Sequence, residues 1–409
     1  MKRFIFCLTV FCSIIFFTGI GSVSADDSSA YAGETINVYN WGEYISDGSD
    51  GLLNINAEFT KETGIKVNYS TYENNEELYA KLLGGGVSYD VIVPSDYMIA
   101  RMIKKGLLQK LNFSNIPNYQ YIDSRFKTDV DYDPENQYSV PYAWGRVCLI
   151  YNKKMVTDPV NSWNILWNPK YQGKILMFDN PRDAFGIAEK VLGYSQNTTD
   201  SINLVNAAQL LKKQKTVVQS YVNDQIFDKM AGNEAILAPY YSGDALTILD
   251  DNENIGFSIP KEGTNLFVDA MCIPACARHK AAAEAYINFL CKTDIALNNI
   301  EYIQYSSPQK LAAEKHKQYI FKKYGKIGLD LDYPNDLSNT ETYTNLPEDT
   351  NLLMDKLWVE IKTNENISLA DTKASGYTAS TLKLITVISC FAIAWIAIFL
   401  YKRRRKRFC

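Results

Sequence analysis

The 409-residue sequence has little histidine and few glycine runs. His279 and His316 are its two histidines, so no set of cysteines and histidines has the spacing of a zinc site. Gly84-Gly85-Gly86 is a glycine run, but it lacks the lysine and the preceding strand that a phosphate-binding loop needs. We therefore expect no metal, no cofactor and no nucleotide.

Cysteine is also sparse, with eight residues in all. Half of them lie near the two ends of the chain, and the other half lie in apolar segments: Cys148, Cys272, Cys276 and Cys291. A domain of this size does not need disulfides for stability. Buried free thiols are the expected state of these four residues, and their pairing stays open.

Positive charge is scarce in the middle of the chain. Nine of the 42 Lys and Arg residues and none of the 46 Asp and Glu residues lie before residue 26 or after residue 381, so residues 26–381 carry 33 basic and 46 acidic groups. A segment with this excess of acid should attract cations and should not bind nucleic acid. The 46% hydrophobic and 13% aromatic content excludes a mostly disordered chain, and 22% charged residues exclude a polytopic membrane protein.

Both ends of the chain are typical of an exported, anchored protein. Residues 1–25 have a basic start, an apolar run and a small-residue cleavage site after Ala25, as in a signal peptide. Residues 364–381 are polar and predict a tether, 382–400 are long and apolar enough for a transmembrane helix, and 401–409 form a basic cytoplasmic tail. We expect a single-pass protein of the cell membrane with residues 26–381 outside.

Residues 35–105 alternate between strand and helix patterns in the order βαβαβ, with strands at 35–41 and 89–93 among them, which predicts a parallel sheet flanked by helices. A second α/β pattern follows between residues 147 and 291, including a strand at 147–152 and a helix at 201–214. In such sheets ligands bind at the carboxyl ends of strands. Those ends carry rings beside acids, in Trp41-Gly42-Glu43-Tyr44, Ser95-Asp96-Tyr97 and Tyr240-Tyr241-Ser242-Gly243-Asp244. Acids at these positions argue against an anionic ligand.

Several segments resemble one family, the spermidine/putrescine-binding proteins of polyamine ABC importers. They are YNWGEYI (39–45), FTKETGIKVNYSTYENNEELYAKL (59–82), YDVIVPSDYMIARM (89–102), YSVPYAWG (138–145), SWNILWNPKYQGKI (162–175), LGYSQNTTD (192–200), IPKEGTNLFVDAMCIP (259–274) and INFL (287–290). The resemblance covers about residues 35–363. It implies a two-lobed periplasmic-binding-protein-like fold of type II, each lobe a mostly parallel sheet flanked by helices. Lobe 1 would comprise 35–142 plus 264–300, and lobe 2 would comprise 143–263 plus 301–363, with Tyr142–Gly145 as one crossing.

The resemblance also implies a ligand site, carried over one residue at a time. Asp183 and Asp269 would bind the charged ends of a polyamine. The remaining implied contacts are rings and one hydroxyl: Trp41, Tyr44, Ser95, Tyr97, Tyr241, Phe267 and Tyr305. Asn180 and Thr344 are weaker correspondences. Asp96 and Asp244 follow strands and are more typical of helix caps, although either could bind the ligand.

Two residues depart from the family pattern. Gly42 replaces a threonine that contacts an amine, and Asn180 replaces an aspartate. The pocket has lost a charge unless Asp179, Asp244 or Asp96 replaces it. Fewer charges would favour a diamine over a triamine, and the choice between putrescine and spermidine stays open.

A polyamine-binding receptor that serves an ABC permease and its ATPase is the leading hypothesis, and such a protein is not an enzyme. Alternatives with the same fold are a receptor for another cationic solute and a surface polyamine sensor. A surface glycan hydrolase would also have acids and rings in a cleft, but it needs two carboxylates about 5 Å apart, and the sequence shows no such pair.

Overall fold

The computed structural model describes residues 33–128 and 130–363. The predicted signal peptide, tether, transmembrane helix and basic tail lie outside these residues. Within the described ranges, none of the helices combines the length and the apolar character that crossing a membrane requires.

Strands and helices alternate along most of the described chain. The strands are β1 (Thr35–Trp41), β2 (Lys66–Tyr72), β3 (Val91–Ile92), β4 (Ser139–Asn152), β5 (Ile175–Phe178), β6 (Val218–Val222), β7 (Leu237–Tyr241), β8 (Ile255–Ser258), β9 (Thr264–Cys272) and β10 (Thr340–Thr342). The helices are α1 (Ile55–Thr63), α2 (Asn75–Gly84), α3 (Asp96–Lys104), α4 (Pro181–Val191), α5 (Ser201–Gln214), α6 (Ile226–Ala231), α7 (Ser242–Asp251), α8 (Lys280–Leu290), α9 (Thr293–Ile303), α10 (Lys310–Asp332) and α11 (Glu348–Thr363). Gly325, with φ of 70°, kinks α10.

The strands are hydrogen-bonded in the order β2-β1-β3-β9-β4-β7-β5-β6, while β10 pairs with β9 and β8 pairs with β4. At each end three strands run parallel, β2-β1-β3 at one and β7-β5-β6 at the other. The long strands β4 and β9 are antiparallel to their neighbours on this path and join the two ends. The expectation of a mostly parallel sheet in each lobe is therefore corrected to parallel ends linked by antiparallel central strands.

Two hydrophobic cores flank the centre of β4. The residues of β4 up to Trp144 pack in the first core with β1, β3 and residues 267–272 of β9. The residues of β4 from Val147 onward pack in the second core with β5 and β7. The described chain thus has the two-lobed α/β architecture that the resemblance implies. The residue bounds of each lobe stay a prediction.

Gly145 lies between the two cores on β4. A β-carbon at this residue would lie 2.9 Å from both the ring of Phe267 and the hydroxyl of Ser242. Close packing of β4 against β9 and α7 therefore requires a glycine at this crossing.

The four described cysteines are unpaired. Cys148, Cys272 and Cys291 are buried, as the apolar segments predicted, but Cys276 is exposed. The prediction of burial is wrong for Cys276 because it follows Pro274, beyond the end of β9, in the turn before α8.

Candidate functional site

A cavity lies between the two lobes at the carboxyl ends of the parallel strands. Its volume is about 840 Å³, including the part that is open to solvent. That volume is in the usual range of small-molecule sites. Its lining comes from both lobes: Trp41, Gly42, Tyr44, Tyr72, Glu73, Asn74, Asn75, Glu76, Ser95, Tyr97, Phe178, Asn180, Asp183, Asn223, Asp224, Phe227, Tyr240, Tyr241, Asp244, Asn265, Phe267, Asp269, Tyr305 and Tyr343.

All charged side chains in this lining are carboxylates, and no lysine, arginine or histidine of the described chain belongs to it. The six acids are Glu73, Glu76, Asp183, Asp224, Asp244 and Asp269. Carboxylates without basic partners in a confined space favour a cationic ligand, because a buried charge needs an opposite charge.

Asp269 is the acid of β9, and its side chain is 5% exposed. Tyr44 donates a hydrogen bond of 2.7 Å to its Oδ2. Burial raises the pKa of this carboxyl to about 6, although the hydroxyls of Ser95 and Tyr44 partly offset the effect. Its Oδ1 accepts no hydrogen bond.

Asp183 lies in the first turn of α4. The side chain of Asn180 caps this helix by accepting from the Asp183 backbone at 2.8 Å, and its amide donates to Oδ2 of Asp183 at 3.0 Å. Tyr241 donates to Oδ2 at 2.6 Å, and Tyr343 donates to Oδ1 at 3.2 Å. Burial raises the pKa of Asp183, while these three donors and Arg182 lower it. The carboxylate is thus held in one orientation at the cavity wall.

Two more acids are each oriented by a tyrosine. Tyr305 donates to Oδ2 of Asp244 at 2.8 Å, and Tyr97 donates to Oε1 of Glu76 at 3.0 Å. Burial raises the pKa of Glu76 and raises that of Asp244 well above its usual range. A cation near these groups would favour their charged forms.

Aromatic rings form a continuous belt along the cavity. Tyr44 meets Tyr305 edge-on with centroids 5.1 Å apart, Tyr305 meets Phe267 at 6.1 Å, and Phe267 meets Tyr241 at 5.4 Å. Trp41 and Tyr72, also in the lining, pack against each other with centroids 4.7 Å apart. Ring faces can cover methylene groups and can also bind cations.

Three buried oxygens of the lining have no hydrogen-bond partner: Oδ1 of Asp269, Oε2 of Glu76 and Oδ1 of Asn265. Buried polar atoms are nearly always paired, and carboxylate and amide oxygens such as these accept hydrogen bonds. The cavity is therefore prepared for a ligand that donates hydrogen bonds, such as an ammonium group.

The structure brings most of the sequence-predicted site residues together in this cavity. They are Trp41, Tyr44, Ser95, Tyr97, Asn180, Asp183, Tyr241, Asp244, Phe267, Asp269 and Tyr305. For Asp244 the helix-cap interpretation is wrong, because its carboxyl makes no cap hydrogen bond at α7.

Two candidates lie outside the lining. Asp96 is fully buried and accepts from the backbone of Val268 at 3.0 Å, so it supports β9 rather than a ligand. Burial raises its pKa to about 8. Thr344 uses its backbone to accept from Arg182 and to donate to Asn197, and the preceding residue, Tyr343, lines the cavity instead.

Sequence reasoning missed several acids and their neighbours. Glu73 and Glu76 follow the end of β2, Asp224 follows the end of β6, and Tyr343 follows β10. The rule that ligands bind beyond strand ends applies to these positions as well. That signal was present after β2, but β6 and β10 have no clear strand pattern in the sequence.

Asp179 does not replace the charge absent at Asn180. Its carboxylate pairs with Lys362 at 2.6 Å, outside the cavity. In residues 33–128 and 130–363 no group of three or more His, Cys, Asp or Glu side chains is arranged to hold a metal ion.

Two α/β lobes joined by crossing strands, with a ligand-sized cavity between them, define the class of solute-binding proteins. The chain belongs to the family described as bacterial extracellular solute-binding protein, whose model matches residues 54–327. This is a class of receptors, not of enzymes.

Relatives with known names agree with this membership. The spermidine/putrescine-binding periplasmic protein of Escherichia coli is 39% identical over 300 residues, which cover 73% of this chain and 82% of that protein. The putrescine-binding periplasmic protein SpuD of Pseudomonas aeruginosa is 31% identical, covering 86% and 98%. Among solved structures, the spermidine/putrescine ABC transporter substrate-binding protein PotD of Streptococcus pneumoniae has a TM-score of 0.65 and 32% identity, covering 81% and 99%. A structure from Listeria monocytogenes has a TM-score of 0.75 and 37% identity, covering 81% and 100%.

Proposed function

We propose that this protein is an extracytoplasmic polyamine receptor that binds putrescine or spermidine between its lobes and delivers it to an ABC importer. The observation that carries the proposal is the charge of the cavity, which has six carboxylates and no basic residue of the described chain. The names of the relatives, which are spermidine- and putrescine-binding proteins, point to the same ligand class.

The chemistry of a polyamine fits the residue types of the lining. Its ammonium groups need carboxylates or acceptor oxygens, and Asp269 Oδ1 and Asn265 Oδ1 are acceptors without a donor. Its methylene segments are apolar and are covered well by rings such as those of Phe267 and Tyr241. Asp269 and Asp183 would bind the ammonium groups, and the belt of rings would surround the carbon chain.

Closure of the lobes would complete the site. The ligand would be enclosed by residues of both lobes, and exclusion of water would strengthen each ion pair. Among the contacts that cross the cleft in the described structure, the amide of Asn223 donates a hydrogen bond of 2.8 Å to Glu73, and Lys105 forms an ion pair of 3.4 Å with Glu348. These contacts would stabilise the closed form.

The receptor would be anchored by its C-terminus. Residues 382–400 would cross the membrane, and the basic residues 402–407 would stay on the cytoplasmic side. This arrangement keeps the binding domain close to the permease and its ATPase.

Titration calorimetry on the purified full chain tests the ligand class. We expect binding heat with putrescine or spermidine and none with sugars, anionic solutes or neutral amino acids. Binding of a sugar without binding of any amine would contradict the proposal. Loss of polyamine uptake on deletion of the chain separates import from a purely sensory role.

A further inference from the structure

Gly42 and Asp224 meet at the mouth of the cavity, from opposite lobes. Gly42 follows β1, and Asp224 lies between β6 and α6. A β-carbon at residue 42 would lie only 2.2 Å from Oδ2 of Asp224, a distance that side chains do not show. The absence of a side chain at residue 42 is therefore what lets the Asp224 carboxylate occupy this position.

Asp224 differs from the other acids of the lining in having no partner. A tyrosine hydroxyl or a side-chain amide donates to each of the other five, as Tyr44 does to Asp269 and Asn223 does to Glu73. Within residues 33–128 and 130–363, no hydrogen bond or ion pair reaches the carboxylate of Asp224. It is an exposed acceptor that lines the cavity.

The acids of the cavity differ in exposure. Asp183 and Asp269 are buried, and the charge of Asp183 acts on Asp269. Asp224 is exposed, and the charges of Glu43 and Glu73 act on it. The cavity lining thus combines a buried pair of carboxylates with an exposed carboxylate, which places Asp224 towards the mouth.

We propose that Asp224, in the space that Gly42 leaves, binds the outer ammonium of a linear triamine whose other ammonium groups contact Asp183 and Asp269. This inference rests on the proposed polyamine function. A linear diamine has two charges, which the buried pair satisfies, so its affinity depends little on Asp224. A triamine has a third charge that needs its own counterion, and the carboxylate at the mouth supplies it.

Glu43 and Glu73 of lobe 1 face Asp224 of lobe 2 across the mouth. Like charges brought together by closure repel each other, and a cation between them replaces the repulsion with attraction. The same carboxylate would therefore make closure over a triamine more favourable than closure over a diamine.

The test compares spermidine with putrescine by calorimetry on the full chain and on its Asp224→Asn variant. We expect spermidine to bind five- to twentyfold more weakly to the variant, while putrescine changes by less than threefold. Asp228→Asn, four residues further along the chain in α6 and outside the lining, is the matched control and should change neither affinity. Spermidine binding that is unchanged by Asp224→Asn, or equal losses for both amines, would overturn the inference.

A second variant tests the role of Gly42. Gly42→Ala should displace the Asp224 carboxylate and weaken spermidine as Asp224→Asn does, and the double variant should be no weaker than either single one. Additive losses would overturn the assigned contact. If the wild-type protein binds no amine, the proposed function itself is contradicted. If it binds amines but Asp224→Asn has no effect, only this inference is contradicted. Thermal unfolding without ligand verifies that each variant is folded.

Discussion

Tyr44 and Asp269 are 225 residues apart in sequence and are joined by a 2.7 Å hydrogen bond at the floor of the cavity. Tyr44 follows β1, and Asp269 lies on β9. The bond orients Oδ2 of the carboxylate and leaves Oδ1 without a partner. A buried carboxylate arranged in this way is suited to accept a hydrogen bond from a cationic donor.

Asp269→Asn should weaken polyamine binding by well over tenfold. The change keeps the shape of the side chain and removes the charge that faces the ammonium, and loss of one buried charge partner typically costs about 2–5 kcal/mol of binding free energy. Calorimetry at pH 7.5 measures the effect. An affinity within threefold of wild type would remove the assigned role.

Asp96→Asn is the matched control for that variant. Asp96 lies close to Asp269, since it accepts a hydrogen bond from the backbone of Val268, the residue before Asp269. Its raised pKa of about 8 means that this buried carboxyl is mostly neutral at pH 7, so replacing it with an amide removes little charge. We expect less than a threefold change in polyamine affinity. A larger loss of affinity in a folded variant would show that Asp96 contributes to ligand binding.

Polyamine affinity should fall as the pH is lowered from 7.5 to 5. Asp269 has a pKa of about 6, and a bound ammonium favours its charged form, so proton and ligand compete for it. Below pH 6 the affinity should fall by up to about tenfold per pH unit for each competing proton. Titrations near pH 6 in buffers of different ionisation enthalpy should show proton release on binding. Release should be reduced in Asp269→Asn.

The ligand-free protein should become more stable when Asp269 is neutral. Because its folded pKa of about 6 lies above the ordinary value of 3.8, the folded state binds this proton more tightly than the unfolded state. The resulting stability is fully present below about pH 4 and is lost as the pH rises through about 6. At pH 7, Asp269→Asn should therefore raise the free energy of unfolding by about 1–3 kcal/mol. Urea unfolding without ligand at pH 5 and pH 7 measures both effects, and a variant less stable than wild type at pH 7 contradicts the assignment.

Tyr241→Phe should weaken binding about three- to tenfold while leaving the ring in place. The variant lacks the hydroxyl that donates at 2.6 Å to Asp183, so the pKa of Asp183 should rise further and its orientation should loosen. Tyr194→Phe is the control, because its hydroxyl accepts from Asn206 outside the cavity. Equal effects of the two changes would show that the loss is not specific to the site.

Deletion of residues 382–409 should release the protein from the membrane fraction without changing polyamine affinity. The prediction follows from the 19-residue apolar run and the basic residues after it. Fractionation of cells that express the full and the shortened chain measures it. Membrane retention of the shortened chain would contradict the anchor.

Several elements could be predicted from the sequence because their patterns are local. The strand pattern at 35–41 and the helix pattern at 201–214 agree with β1 and α5 residue for residue. By contrast, Tyr89–Val93 predicted a five-residue strand, but β3 has two residues because only Val91 and Ile92 pair with β1, and only Ile92 pairs with β9. The strand pattern at 147–152 covers less than half of β4, since β4 begins at Ser139 and residues 143–145 of the crossing segment also pair with β9, after a register shift at Tyr142.

The ligand-site residues that follow well-marked strands could also be predicted from the sequence, because neighbouring residues define a strand and the position where it ends. The family resemblance added Asp183 and Asp269 to the predicted site. Their spacing along the chain does not by itself predict that they line one cavity. Asp224 and Tyr343 follow short strands of 5 and 3 residues, whose patterns are too weak to recognise alone.

The order of residues by itself determined the chemical character of this protein: a chain with an acid-rich, ring-rich central segment and strand ends suited to a cation. Only the tertiary structure decided which acids converge, which have hydrogen-bond donors and which do not. The reason is that pairing depends on contacts between residues far apart, as in Asn180 with Tyr241 around Asp183 and Gly42 against Asp224. Charge is a property of composition, whereas an unpartnered carboxylate is a property of the folded neighbourhood.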